Sequence, residues 1–402
     1  MPRERIQSLD VIRGFALAGI YLTNILYFSG AHFAPTKLHE AGLLSQFDSI
    51  IYFFVVTFID NICYTIFCFL FGIGFYLFYN KANNFKVREQ LFLRRLGGLF
   101  LIGISHALIW YGDILFTYAL IGLSFFWFNK LSMRRLKQII WLLLFISAVI
   151  IPLFFCLLDY FSLLPVVTAH PEAHESMPGI TPENFFTTLS QGNYRSIFNL
   201  NLHMLYWKII FHFYSGKLVN IMAFFALGLY IAKTRLSQQS KNSFLFNSKR
   251  QLILAALLGL FLSFTHAWLK LFILKQINLN GLAILNNLLS LSGSILMALV
   301  YIEFIAKITH YYPAFSRFIA AYGRLALTNY LLQTVFSLVI FYSFGLALYG
   351  VMSMTACILL SIIFVLFQIF LSNLWLKYYE YGPVEWLWRM FTYKSSIRII
   401  RI

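Results

Sequence analysis

His106, Trp110, Gly112 and Asp113 stand close together in an otherwise apolar stretch. A histidine beside a carboxylate is the minimum for general-base chemistry, because the carboxylate fixes the tautomer and stabilises the imidazolium. His106 and Trp110 are one turn apart and share a helix face. Asp113 shares it only if Gly112 leaves the helix unbroken. The competing reading is a buried structural histidine that closes a turn, and spacing alone does not choose between the two.

Other polar groups are set into apolar runs in the same way. Asp10 and Arg13 are three residues apart and can pair on one face. Asn24, fourteen residues beyond Asp10, returns to within about 40° of that face. The resulting stripe is about 20 Å long and must face protein or a water-filled cavity. It reads as a structural ion pair with a packing asparagine, or as part of a ligand site. Further along, Arg324 reads as a headgroup anchor. Asn329 and Gln333 form an i,i+4 polar pair that either binds a polar headgroup or joins neighbouring helices. Asp60 with Asn61 reads as a helix start that uses the dipole. Glu303 is expected to pair with Arg324 or Lys307, and His266 to sit at an interface. His32 and His39 qualify by their position in the first outer loop. Gly72 and Gly74 are expected to allow close helix packing rather than to cradle a phosphate.

The elements that must position these residues follow from composition. Of 402 residues, 60% are hydrophobic, 19% aromatic and 11% charged. A soluble domain carries about a quarter of its residues as charge, so this chain lacks the polar skin that water requires. The expected fold is all-α: a polytopic membrane protein of about ten transmembrane helices. The expected spans are 11–28, 61–79, 96–111, 114–128, 138–158, 218–232, 252–269, 282–306, 326–344 and 352–371. The formal charge of +17 tests this arrangement. All but six of the 31 Lys and Arg residues fall on one side, the exceptions being Lys37, Arg195, Lys208, Lys217, Lys270 and Lys275. That bias places both termini in the cytoplasm and leaves no concentrated patch for nucleic acid. One integral membrane domain covers 1–402, with a periplasmic loop at 159–203 and a cytoplasmic amphipathic tail at 376–402. The four cysteines lie in apolar runs, with neither a disulfide framework nor a metal-ligand spacing.

Several of these motifs carry a resemblance. Arg5-x4-Asp10-x2-Arg13-Gly14 with Asn24, the segment from His106 through Trp110 and Gly112-Asp113, and Gly323-Arg324-x-Ala326-Leu327-Thr328-Asn329-Tyr330 together resemble the YeiB-like family of bacterial inner-membrane proteins. The tail Tyr381-Gly382-Pro383-Val384-Glu385-Trp386-Leu387-Trp388-Arg389, followed by Thr392-Tyr393, strengthens the match. The resemblance implies the bacterial inner membrane as location. By its first-helix pattern the chain is also similar to the wider transmembrane acyltransferase group, which includes heparan-glucosaminide acetyltransferase. The bacterial O-acyltransferases of that group have a catalytic histidine where this chain has Asn24, so their mechanism does not transfer directly. The heparan-type enzymes have asparagine there and a working histidine in the following loop, for which His32 is the nearest counterpart.

Three functions remain open at this stage. In the first, a cytoplasmic acyl-CoA co-substrate, with no resident cofactor, donates an acyl group to a small-molecule or lipid-linked hydroxyl or amine. His106, Asp113 and Asn24 would be catalytic, while Asp10, Arg13, Trp110, Arg324, Asn329, Gln333 and His32 would bind substrate. In the second, the polar stripe lines the path of a transporter or flippase for a polar or amphipathic solute. In the third, the long outer loop and tryptophan-rich tail are docking surfaces. Membrane lipids are partners throughout, and self-association into a homo-oligomer is left open. The catalytic reading expects Asp10, Arg13, Asn24, His106 and Asp113 around one cavity.

Overall fold

In hydrocarbon a backbone must satisfy its hydrogen bonds within its own segment, so apolar runs of this length fold as helices. The computed structural model describes residues 7–31, 46–80, 85–161, 181–236, 245–246, 248–273 and 280–401. Among these residues the helices are α1 (Gln7–Phe28), α2 (Gln46–Phe58), α3 (Ile62–Tyr79), α4 (Phe85–Ile109), α5 (Leu115–Gly122) and α6 (Phe125–Lys130). Then come α7 (Met133–Phe145), α8 (Ile151–Tyr160), α9 (Pro182–Gln191), α10 (Tyr194–Tyr214) and α11 (Lys217–Ile231). The last are α12 (Lys249–Trp268), α13 (Asn280–Tyr311), α14 (Pro313–Arg324), α15 (Ala326–Phe341), α16 (Met354–Tyr378) and α17 (Pro383–Tyr393). An antiparallel bridge pairs Tyr379 with Ile400.

Among the described residues, eight helical segments are long and apolar enough to cross a bilayer, or nine if α14 and α15, bent by 68° at their junction, make one span. The segment expected to cross at 114–128 instead forms α5 and α6. Between them the bonds tighten to Leu123 N–H on the Leu120 carbonyl and Ser124 N–H on that of Ile121. Each piece alone is shorter than a span, and together they run back along α4, with Phe116 against Gly103 and Phe125 against Phe92. The expected loop at 159–203 folds, where described, into α9 and the first half of α10. The apolar outer surface suits lipid: Leu254, Leu257 and Phe261 of α12 are 66%, 62% and 65% exposed. In water so continuous an apolar face would drive association.

α1 lies inside the bundle, packed against α3, α13, α14, α15 and α16. Its approach to α14 requires glycine at 323 and leaves little room at 14. A Cβ on Gly323 would lie 1.9 Å from the Asp10 carbonyl oxygen, and one on Gly14 3.3 Å from the Gly323 nitrogen. Small residues let backbones meet where no hydrophobic effect drives helices together. The expectation for Gly72 holds, since its Cβ would fall 2.3 Å from the Phe225 carbonyl of α11. Gly74 faces open space. Cys63, Cys68 and Cys357 are buried, Cys156 is half-buried, and none of the four forms a disulfide among the described residues.

Candidate functional site

α4 ends at Ile109, and the turn that follows carries Asp113 back beneath the last turn of the helix. Asp113 Oδ1 lies 2.7 Å from His106 Nδ1, and Asp113 Oδ2 accepts the Phe116 N–H at 3.0 Å. On its other side, His106 Nε2 is 2.8 Å from the hydroxyl of Thr334 on α15. An ionised carboxylate only accepts, which assigns the proton of the neutral imidazole to Nδ1 and leaves the Nε2 lone pair facing Thr334. His106, Asp113 and Thr334 are 4%, 0% and 2% exposed. The expectation that Asp113 would join His106 only along an unbroken helix is corrected: the helix breaks, and the break makes the pair.

The turn is held from outside the spans by α10. A helix leaves its last carbonyls without intrahelical partners and favours cations there. Asn201 donates to the Ile109 carbonyl at 2.6 Å, while Lys208 donates to the carbonyls of Tyr111, at 3.0 Å, and Asp113. Burial and repulsion from Lys217 lower Lys208 to about 8, against the pull of Asp113, with burial the largest cause.

Trp110 closes the site. Its indole stacks on Phe28 of α1 at 4.0 Å between centroids and 24° between planes. The ring lies over Gly112, where a Cβ would come within 2.2 Å of it. The Trp110 and Tyr330 rings stand 6.0 and 5.0 Å from that of His106. The indole Nε1–H of Trp110 is buried and has no acceptor among the described residues. A buried unpaired donor beside a histidine is a place for a ligand oxygen or an ordered water.

The other sequence-expected residues do not all meet here. Asp10 and Arg13 pair at 2.8 Å, at the end of α1 that packs on α14. Phe28, which touches Trp110, is eighteen residues beyond Asp10 along α1, while Thr334, which touches His106, is eleven residues beyond Gly323, whose backbone meets that of Asp10, so the ion pair and the histidine are separate groups at different levels of the bundle. Asn24 is half-buried one turn before Phe28, on the helix face that leads to Trp110. Asn329 donates to the Tyr322 carbonyl and to Ser372, and Gln333 to the Tyr322 hydroxyl and to Gln368. Both amides thus join α15 to α14 and α16. Arg324 donates to the Glu380 carbonyl at 3.2 Å. Glu303 pairs with Lys307 at 3.2 Å. His266, expected at an interface, is buried at 7% exposure and bonds Asn286 at 2.8 Å, because α12 and α13 pack along their length. His32 and His39 lie outside the described residues.

Sequence reasoning missed Thr334, Tyr330, Asn201 and the role of Lys208. The signal for Thr334 was present: Asn329, Gln333, Thr334 and Ser337 continue one polar helix face, and each is buried. It also missed Glu385, whose carboxylate accepts from the backbone N–H groups of Leu327 and Thr328, at 2.7 and 3.1 Å, and from the Thr328 hydroxyl. From α17 this side chain caps the start of α15.

Comparison with known proteins places the chain. The family described as "Protein of unknown function (DUF418)" matches residues 239–395. An uncharacterized 39.9 kDa protein in the amylase 3' region of Bacillus acidopullulyticus is 31% identical, over 99% of this chain and 96% of its own. The chain belongs to the DUF418 family. Other relatives include the uncharacterized protein YxaH of Bacillus subtilis (strain 168), 28% identical over 98% of this chain and 96% of its own. The uncharacterized protein YeiB of Escherichia coli (strain K12) is 26% identical over 98% and 97% of the two chains. None of the solved structures matches this DUF418 chain.

Proposed function

We propose that the protein is an acyltransferase of the bacterial inner membrane, with both termini cytoplasmic, acting between a cytoplasmic acyl-CoA and a hydroxyl or amine acceptor. The buried chain Asp113–His106–Thr334 carries this reading. His106 Nε2 takes the proton of the acceptor as its oxygen or nitrogen attacks the acyl carbonyl, and returns it to the departing thiolate. Asp113 holds Nδ1–H and balances the imidazolium. The acceptor hydroxyl takes the hydrogen-bonding place at Nε2 that the Thr334 hydroxyl now fills. The Trp110 indole N–H and the Asn24 amide are the donors for the carbonyl oxygen as it gains charge. The separation from Asp10 and Arg13 suits an elongated donor, its anionic end at the ion pair and its reactive end near His106.

The test uses purified protein in detergent, radiolabelled acetyl-CoA and a bacterial lipid extract as acceptor pool. The wild type transfers label. His106→Ala lowers the rate at least a hundredfold while the melting temperature stays within a few degrees. An unchanged rate in a folded His106→Ala protein overturns the assignment. One observation supports a second reading, passage of a small polar or amphipathic solute: the buried polar face of α15 extends from Asn329 to Ser337. Uptake of unmodified solute by proteoliposomes, without label transfer, would favour it.

A further inference from the structure

A second polar site lies away from His106, where the start of α15 meets the C-terminal tail. A cavity of about 260 Å³ opens there, lined by Arg324, Tyr379, Glu380, Tyr381 and Arg401. Its walls are tied together by the backbone. Glu380 N–H donates to the Ile399 carbonyl and Arg401 N–H to the Tyr378 carbonyl, both at 2.9 Å, around the Tyr379–Ile400 bridge. The Trp375 indole donates to the Tyr381 carbonyl at 2.8 Å and stacks on Tyr379 at 4.1 Å. Arg324 donates one N–H to the Glu380 carbonyl and Arg401 one to that of Leu376, each at 3.2 Å. A guanidinium carries five donors in a planar fork, so neither of these contacts exhausts Arg401. The one acid of the lining, Glu380, makes no ion pair with either arginine among the described residues. Arg389 stands over Tyr381 at 4.4 Å and adds positive charge behind the wall.

The depth of the cavity is set by two amphipathic helices beside it. α14 exposes Phe315 and Phe318 and buries Ser316, Ala320 and Tyr322, and α17 exposes Leu387 and Phe391 while its Glu385 bonds the start of α15. Helices of this kind lie in the membrane surface with their apolar face among the acyl chains and their polar face at the headgroups. Two guanidiniums at that level meet phosphate, the anion their fork geometry matches.

We infer that this cavity is a binding site for a phosphate group, held by Arg324 and Arg401. The inference does not depend on acyl transfer, since Arg324 lies ten residues, nearly three turns, before Thr334, on the other side of the α14–α15 bend. An anionic phospholipid headgroup and a soluble phosphate share this chemistry, and the experiment separates them. Full-length protein in a neutral maltoside is delipidated. Phosphatidylglycerol retention is then measured by native mass spectrometry, and inorganic phosphate binding by saturable thermal shift. Retention of lipid identifies a headgroup site, and saturation by phosphate alone a soluble ligand. Arg401→Gln is expected to weaken whichever binding is seen by about tenfold or more. Glu380→Gln removes the opposing charge and is expected to tighten it several-fold, a gain that a misfolded variant cannot mimic. Absence of both ligands from the wild type, or affinities unmoved by both substitutions, overturns the proposal.

Discussion

Lys208 sits behind the His106–Asp113 turn as the cation on the exposed carbonyl end of α4. Its native value, about 8, lies below the 10.5 of an unfolded lysine. Between those values the unfolded chain binds more protons, so this group makes folding more favourable as pH rises. Its contribution is complete above 10.5 and lost as pH falls through about 8. The stability difference between wild type and Lys208→Met is therefore expected to grow in favour of the wild type from pH 8 to 10.5. Denaturation midpoints in detergent across that range measure it, and a constant difference would count against the buried-cation account. At this scale the dyad itself was legible in sequence, because a histidine and an acid are conspicuous in an apolar run. Thr334 was not, because a hydroxyl in a membrane helix usually bonds its own backbone and signals nothing until its neighbour is known.

The helices that matter to the site owe their positions to close contacts that spacing only hints at. Gly14 and Gly323 were visible as motif residues, but that they oppose one another across α1 and α14 became evident only once the bundle was assembled. Adding a methyl at Gly323 forces the two backbones apart, so Gly323→Ala should destabilise by about 1–3 kcal/mol, read from denaturant or thermal unfolding in detergent. The same contact orients the bend between α14 and α15, and α15 sends Tyr330, Thr334 and Ser337 toward α4 and α1. α5 and α6 show what hydropathy leaves out: their apolar composition fits the expected span, and the tightened turn that divides it is visible only in the backbone.

Across the whole molecule, the two helices that bring His106 and Thr334 together are tied at both ends. At one end α10 holds the carbonyls after α4. At the other, α17 spans the pair: Glu385 caps α15, while the Trp388 indole donates to the Arg95 carbonyl of α4 at 2.7 Å and stacks on the Arg95 guanidinium at 3.8 Å. Glu385→Ala leaves three donors without their acceptor and is expected to cost about 1–3 kcal/mol. Because it also loosens the tail, limited proteolysis should cleave beyond Tyr378 several-fold faster in the variant, and equal cleavage rates would show that the tail is held elsewhere. The tryptophan-rich tail therefore acts as a brace for the site helices.

Composition and charge distribution established a multi-helix membrane protein before any coordinate, because hydrocarbon tolerates few charges and a single backbone form. The same scarcity of charge pointed to His106 and Asp113 and to the Asp10–Arg13 pair. Neither the distance between those two centres nor the Thr334 contact could be read that way. Both depend on which faces of α1, α4 and α15 meet, and that is settled by glycine contacts, a helix bend and caps supplied from segments 57 to 97 residues away.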